Sequence, residues 1–130
     1  MKIILTIGGT DPSGGAGLPA DQRTIHALGA WPVTVVTAVV AQNTQRVDTW
    51  EPVSAAMVQA QLDAVCEDFE IAAIKIGMLG TRDIAEAVLE FLQNEKVQEI
   101  PIVLDPVLAD GTGDTPLAES VDVIEKIAAL

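Results

Sequence analysis

The strongest constraint on the fold of this chain is an apolar run, Ile3-Ile4-Leu5-Thr6-Ile7, closed at once by a glycine-rich turn, Gly8-Gly9-Thr10-Asp11-Pro12-Ser13-Gly14-Gly15-Ala16-Gly17. The run has the length of a strand and ends on breakers, so it reads as a buried β-strand. Leu18-Pro19-Ala20-Asp21 then reads as the first turn of a helix, where proline is tolerated. A strand, a glycine turn and a helix N-terminus gather backbone N–H groups and let a ligand approach the main chain closely. The same glycines could instead serve tight packing of helix on sheet, although the turn holds more of them than packing requires.

The named nucleotide motifs do not fit this turn. Four residues separate Gly9 from Gly14, as in a P-loop, but Gly15-Ala16 stand where Lys and Ser/Thr belong. A dinucleotide fingerprint with the right spacing is absent, as is an acidic residue ending a second strand about 20 residues on.

At 130 residues the chain is one domain or part of one. Hydrophobic residues make up 49% and aromatics only 3%, a balance that suits a sheet covered by helices. No apolar run approaches the roughly 18 residues of a membrane span, and no signal peptide opens the chain. The single cysteine, Cys66, excludes an intrachain disulfide and a cysteine-based zinc cluster, and fits a reducing cytoplasm. The net charge of −12 falls wholly in residues 51–130, because Lys2, Arg23 and Arg46 balance Asp11, Asp21 and Asp48 before that. Solvated helix faces account for it, and nucleic acid and anionic membrane are disfavoured as partners.

Along the chain, a first helix is expected from about Ala16 to Leu28, with Leu18, Ile25 and Leu28 as its apolar stripe. Asp21 falls on the same stripe and so needs a partner, either a cap or ion pair or a ligand. His26 lies off the stripe and is read as structural. Val33 to Ala41 is a β-branched run expected to be buried on both faces, ending in Gln42-Asn43-Thr44-Gln45. Ligands of open parallel sheets bind beyond the carboxyl ends of the strands, where the Gln42 amide could read a heterocycle as donor and acceptor, or belong to a plain polar loop. Val47 to Trp50 suggests a short extra strand. Ser54 is the expected cap of a second helix with Val58, Leu62, Val65, Cys66 and Phe69 inward. Ile71 to Leu79 reads as a strand interrupted by Lys75, for which Asp105 is a candidate partner. Thr81 caps a third helix, Ile100 to Leu104 is a further strand ending in Asp105-Pro106, Asp110 to Asp114 is a polar loop, and Leu117 to Leu130 reads as a last helix. Strands alternating with helices predict an α/β, doubly wound, mostly parallel sheet with helices on both faces.

Taken in order, these segments resemble the hydroxymethylpyrimidine/phosphomethylpyrimidine kinases. Thr10 to Gly17 followed by Ala20-Asp21, Thr37 to Thr44, Gln61-Leu62-Asp63, Lys75-Ile76-Gly77-Met78-Leu79 and Val103-Leu104-Asp105-Pro106-Val107 carry the resemblance across nearly the whole chain. It implies a ribokinase-like fold and phosphorylation, with ATP and Mg2+, of 4-amino-5-hydroxymethyl-2-methylpyrimidine and then of its monophosphate, in thiamin biosynthesis. By the same resemblance, Gln42 reads the pyrimidine, Gly9, Ala16 and Asp21 line the pocket with Met78 and Val107 as walls, and Asp105 sits near the Mg-ATP phosphates. A cytoplasmic homo-oligomer is implied as well.

The family runs to roughly twice this length, so residues 1–130 are expected to be the N-terminal, substrate-binding half of one domain, without turnover alone. The catalytic residues and the glycine-rich anion hole are expected in the other half. Asp110-Gly111-Thr112-Gly113-Asp114 only superficially resembles that anion hole, since it follows the Asp-Pro strand end. The family often reads Ala-Lys-Ser-Gly-Asp in this loop, and Gly111 stands where its lysine would be. The alternatives are a pyridoxal-type vitamin kinase and a non-catalytic binding module for thiamin precursors.

Overall fold

The computed structural model describes residues 1–130 as β1 (Ile3–Gly9), α1 (Gly17–Ala27), β2 (Trp31–Gln42), β3 (Val47–Pro52), α2 (Ala55–Asp68), β4 (Ile71–Ile76), α3 (Arg82–Leu92), β5 (Ile102–Leu104) and α4 (Val121–Ala128). The five strands form one sheet in the order β3-β2-β1-β4-β5. All neighbours are parallel except β2 and β3, which Asn43 to Arg46 joins as an antiparallel pair. This mostly parallel, helix-covered sheet is the layout that the alternating sequence pattern predicts.

Alternation along the strands decides which face each residue serves. Leu5, Ile7, Val35, Ile74 and Ile76 point to one face, where they pack against Val58 and Leu62 of α2, Ile84, Val88 and Leu92 of α3 and Val123 and Ile127 of α4. On the opposite face Thr6 of β1 lies in register with Lys75 of β4, and α1 covers them. The polar residue that interrupts each apolar run is therefore directed at the same helix.

The expected helix starts hold. Ser54 Oγ accepts from the Met57 N–H at 3.1 Å and Thr81 Oγ1 from the Ile84 N–H at 3.4 Å. On the side of β2 away from β1, before β3 begins to pair, α2 takes over. Gln61 Oε1 accepts from the Val36 N–H at 2.9 Å, and Gln61 Nε2 donates to the Val36 carbonyl at 3.0 Å. One side chain thus satisfies both backbone groups of an open strand position.

Several expectations are corrected. Leu28 is 81% exposed, so the α1 stripe is narrower than its spacing suggests, with Leu18 its one fully buried member. Cys66 is exposed instead of packed inward, because α2 buries only Val58 and Leu62 completely. The second strand is not buried throughout, since no helix covers Val39, which is 59% exposed. The last helix starts at Val121 and not at Leu117. Residues before it are held as extended chain, the Leu117 N–H donating to the Leu108 carbonyl and the Glu119 N–H to that of Gly80, both at 2.9 Å. Leu117 is thereby buried against Ala38, Val40 and Met78, a small second core separate from the main one.

Candidate ligand-binding site

The glycine turn is shaped by Asp11, a nearly buried carboxylate. Its Oδ1 accepts from the Ser13 N–H at 2.8 Å and the Ser13 hydroxyl at 2.7 Å, and its Oδ2 from the Ala16 N–H at 2.7 Å. Burial pushes this carboxyl up, but the hydrogen bonds from Ser13 and Ala16, with a smaller pull from Gln42, outweigh it and hold the group below its ordinary value. The turn is pinned to β2 as well. The Thr10 N–H donates to the Ala38 carbonyl at 3.0 Å, and Thr10 Oγ1 accepts from the Val40 N–H at 3.0 Å.

One glycine is required by geometry, and a second is tightly surrounded. Gly17 opens α1 with φ of +56°, and a β-carbon there would stand 2.6 Å from the Gly9 carbonyl oxygen. At Gly9 a β-carbon would meet Met78 Sδ at 3.0 Å and Val40 Cγ2 at 3.4 Å. Glycine at position 9 thus leaves open the space between β1, β2 and the loop after β4.

That space is a cavity of about 200 Å³. Gly9, Ala16, Asp21, Gln42, Met78 and Val107, the residues singled out from the sequence, all line it, and so does Asp105. The volume is below the roughly 300–1,000 Å³ of pockets for drug-sized ligands, so it suits a single substituted ring. Val40, Val47, Met78, Val107 and Leu117 give it apolar walls.

Lys75 does not pair with Asp105, the candidate partner read from the sequence. Lys75 Nζ lies 2.9 Å from Asp21 Oδ2, and the same oxygen accepts from Thr6 Oγ1–H at 2.7 Å. Asp105 is therefore not the partner of Lys75, and its carboxylate makes no hydrogen bond. The pair remains part of the cavity wall, with side chains 25% and 20% exposed.

Asp11, Thr6 and Asp110 were not singled out as site residues from the sequence. Asp11 could have been found from the Asp-Pro-Ser spacing, which favours a carboxylate bonding backbone two residues on. Thr6 and Lys75 each broke an apolar run, but only strand register brings them together. Asp110 also lines the cavity. Its Oδ1 accepts from the Thr112 hydroxyl at 2.9 Å and the Asp114 N–H at 3.0 Å, which folds the polar loop over the site. Desolvation raises its carboxyl, and the bonds from Thr115, Thr112 and Asp114 lower it further than that, for a net downward shift.

Residues 11–129 match the family described as phosphomethylpyrimidine kinase. The chain belongs to that family. It is 50% identical over 122 residues to the hydroxymethylpyrimidine/phosphomethylpyrimidine kinase of Escherichia coli K12, covering 92% of this chain and 45% of that protein. The kinase of the same name from Aquifex aeolicus is 45% identical over 117 residues, 90% of this chain and 45% of the relative. The chain thus spans about half the length of the curated relatives it matches. Among solved structures, the phosphomethylpyrimidine kinase of Clostridium difficile 630 superposes with a TM-score of 0.82 at 36% identity, covering 98% of this chain and 54% of that one. A Staphylococcus aureus pyridoxal kinase in complex with AMP-PCP and pyridoxal gives a TM-score of 0.70 at 32% identity, over 85% of this chain and 41% of that one. The five-stranded sheet is accordingly that of the ribokinase-like kinases.

Proposed function

We propose that this chain is the pyrimidine-binding half of a kinase that phosphorylates 4-amino-5-hydroxymethyl-2-methylpyrimidine and its monophosphate. The observation that carries the reading is the cavity, which has ring-sized volume, apolar walls and glycines along one side, with the Gln42 amide among its few polar groups. An amide offers a donor and an acceptor side by side, which matches an aminopyrimidine edge. Met78 and Val107 wall the ring, and Gly9 and Ala16 let backbone approach it. Membership of the phosphomethylpyrimidine kinase family supports the same assignment.

ATP is the proposed phosphoryl donor, bound largely by the other half of the kinase. Mg2+ is commonly held by one or two carboxylates together with nucleotide phosphates and water. No group of three or more His, Cys, Asp or Glu could hold a metal by itself, but Asp105 on the cavity wall, without a hydrogen-bond partner, suits a carboxylate of that kind. Mg2+ bound there would spread the charge of the phosphates. The protein's own part is to orient the hydroxymethyl oxygen and exclude water, since phosphoryl transfer depends on positioning and charge stabilisation. Residues 1–130 alone are expected to bind the pyrimidine without turning it over. No helix is long and apolar enough to cross a membrane, and a cytoplasmic homo-oligomer is the proposed setting.

The pyridoxal kinase neighbour keeps a second substrate in view. Equilibrium dialysis of the chain with labelled hydroxymethylpyrimidine, with pyridoxal as competitor, separates the two. Retention of the pyrimidine that excess pyridoxal displaces poorly is expected. Preferential retention of pyridoxal would overturn the proposal.

A further inference from the structure

An irregularity in β2 decides which of its side chains reach the cavity. Gly8 of β1 pairs with Val36 of β2, but the next residue, Gly9, pairs with Ala38, so Thr37 is one residue too many in the ladder. Such a bulge is uncommon between parallel strands, and it reverses the face that each later side chain serves. The burial pattern records the reversal. Val33, Val35 and Thr37 are buried before it, Ala38 and Val40 after it, and Val39 between these two is 59% exposed. Val40 and Gln42 thereby come to line the cavity, while Val39 and Ala41 are left to solvent.

Thr37 is fully buried and lies outside the cavity lining. Its hydroxyl donates to the Met78 carbonyl at 2.6 Å, and its own carbonyl accepts from the Val53 N–H at 2.9 Å. No backbone N–H reaches the Met78 carbonyl, so Thr37 supplies its donor. In the sheet β1 lies between β2 and β4, and at the level of Thr37 it carries only Gly8 and Gly9, with no side chain to stand in the way. A buried hydroxyl has to be paired, and this one ties the extra residue of β2 to the loop after β4.

We infer that Thr37 is a positioning residue for ligand recognition: its bond to Met78 fixes the bulge, and the bulge turns Val40 and the Gln42 amide to the cavity that Met78 walls. Bulges beside binding sites re-aim side chains in this way. Thr37 touches no ligand, so its effect passes through Gln42 and Met78. This inference deepens the pyrimidine reading proposed above and rests on it.

Calorimetric titrations with 4-amino-5-hydroxymethyl-2-methylpyrimidine test it. Thr37→Val keeps the shape and removes the hydroxyl, and binding should weaken about fivefold or more, as for the loss of one buried hydrogen bond. Thr37→Ser, which keeps the hydroxyl, should recover most of that loss. In a Gln42→Ala background Thr37→Val should weaken binding about twofold at most, because the two residues act through one contact. Should Thr37→Val fail to fold, Thr37→Ala takes its place, and valine-methyl spectra of the wild-type chain test the bulge directly. Added pyrimidine should shift the Val40 methyl signals and leave those of Val39 in place. Unchanged affinity without the hydroxyl, a loss that Thr37→Ser shares in full, an undiminished loss in the Gln42→Ala background, or a shift at Val39 instead of Val40 would overturn this inference while leaving the pyrimidine site intact. Failure of the wild-type chain to bind would overturn the pyrimidine reading itself and this inference with it.

Discussion

The carbonyl oxygen of Gly9 occupies the place where a side chain on Gly17 would begin, 2.6 Å from a β-carbon built there. The end of β1 and the start of α1 are thus fitted against each other through two residues without side chains. This contact closes the glycine turn, and it separates two kinds of glycine requirement in the same chain.

Gly17→Ala combines a left-handed backbone with a backbone clash, whereas Gly29, with φ of +80°, has nothing within 4 Å of its would-be β-carbon. Gly29→Ala should therefore cost about 1 kcal/mol from conformation alone. Gly17→Ala should cost at least about 2–3 kcal/mol and disturb the cavity. Urea unfolding of both variants checks the order, and equal losses would contradict it.

Asp11 should dominate the acid side of the stability curve. Its folded value lies below its unfolded one, so its ionised form stabilises the fold. That contribution is complete above the ordinary carboxyl value of 3.8 and is lost as the pH falls through the depressed folded value. Asp11→Asn keeps an acceptor for Ser13 but turns a donor towards the Ala16 N–H. A loss of about 2 kcal/mol at neutral pH is expected, with a flatter decline below about pH 4. Denaturant midpoints measured from acid to neutral pH test this, and an unchanged acid slope would contradict it.

Gln61 acts as a one-residue substitute for a neighbouring strand, and its neighbour on α2 does not. Gln61→Ala leaves the Val36 N–H and carbonyl without their partners and should cost about 1–3 kcal/mol. Gln59→Ala removes only an exposed bond to Asp63 at 2.8 Å and should stay within about 0.5 kcal/mol. Thermal melts of the two variants should differ by several degrees.

What the sequence made legible was local. Breakers, caps and apolar spacing marked β1, the glycine turn, Ser54, Thr81 and the extra strand from Val47, because each depends on residues within a few positions. Lys75 shows where that stops. Its position in an apolar run called for a carboxylate, and the sequence reading offered Asp105. Strand register against Thr6 and the side taken by α1 decided for Asp21, and neither is written near Lys75. Leu117 failed as a helix start for a related reason. Its burial against Val40 and Met78, together with backbone bonds to Leu108 and Gly80, outweighs a helical pattern of period 3.6. The cavity-lining residues were legible through motifs, whereas Asp11 and Thr6, which shape the cavity from behind, were not.

The central claim is that the cavity beside Gln42 recognises an aminopyrimidine, and calorimetric titration of wild type and Gln42→Ala with 4-amino-5-hydroxymethyl-2-methylpyrimidine tests it most directly. The wild-type chain should bind at one site, and Gln42→Ala should weaken binding about tenfold or more, the loss expected for a paired amide contact. Binding that Gln42→Ala leaves unchanged, or no binding by the wild-type chain, would contradict the account.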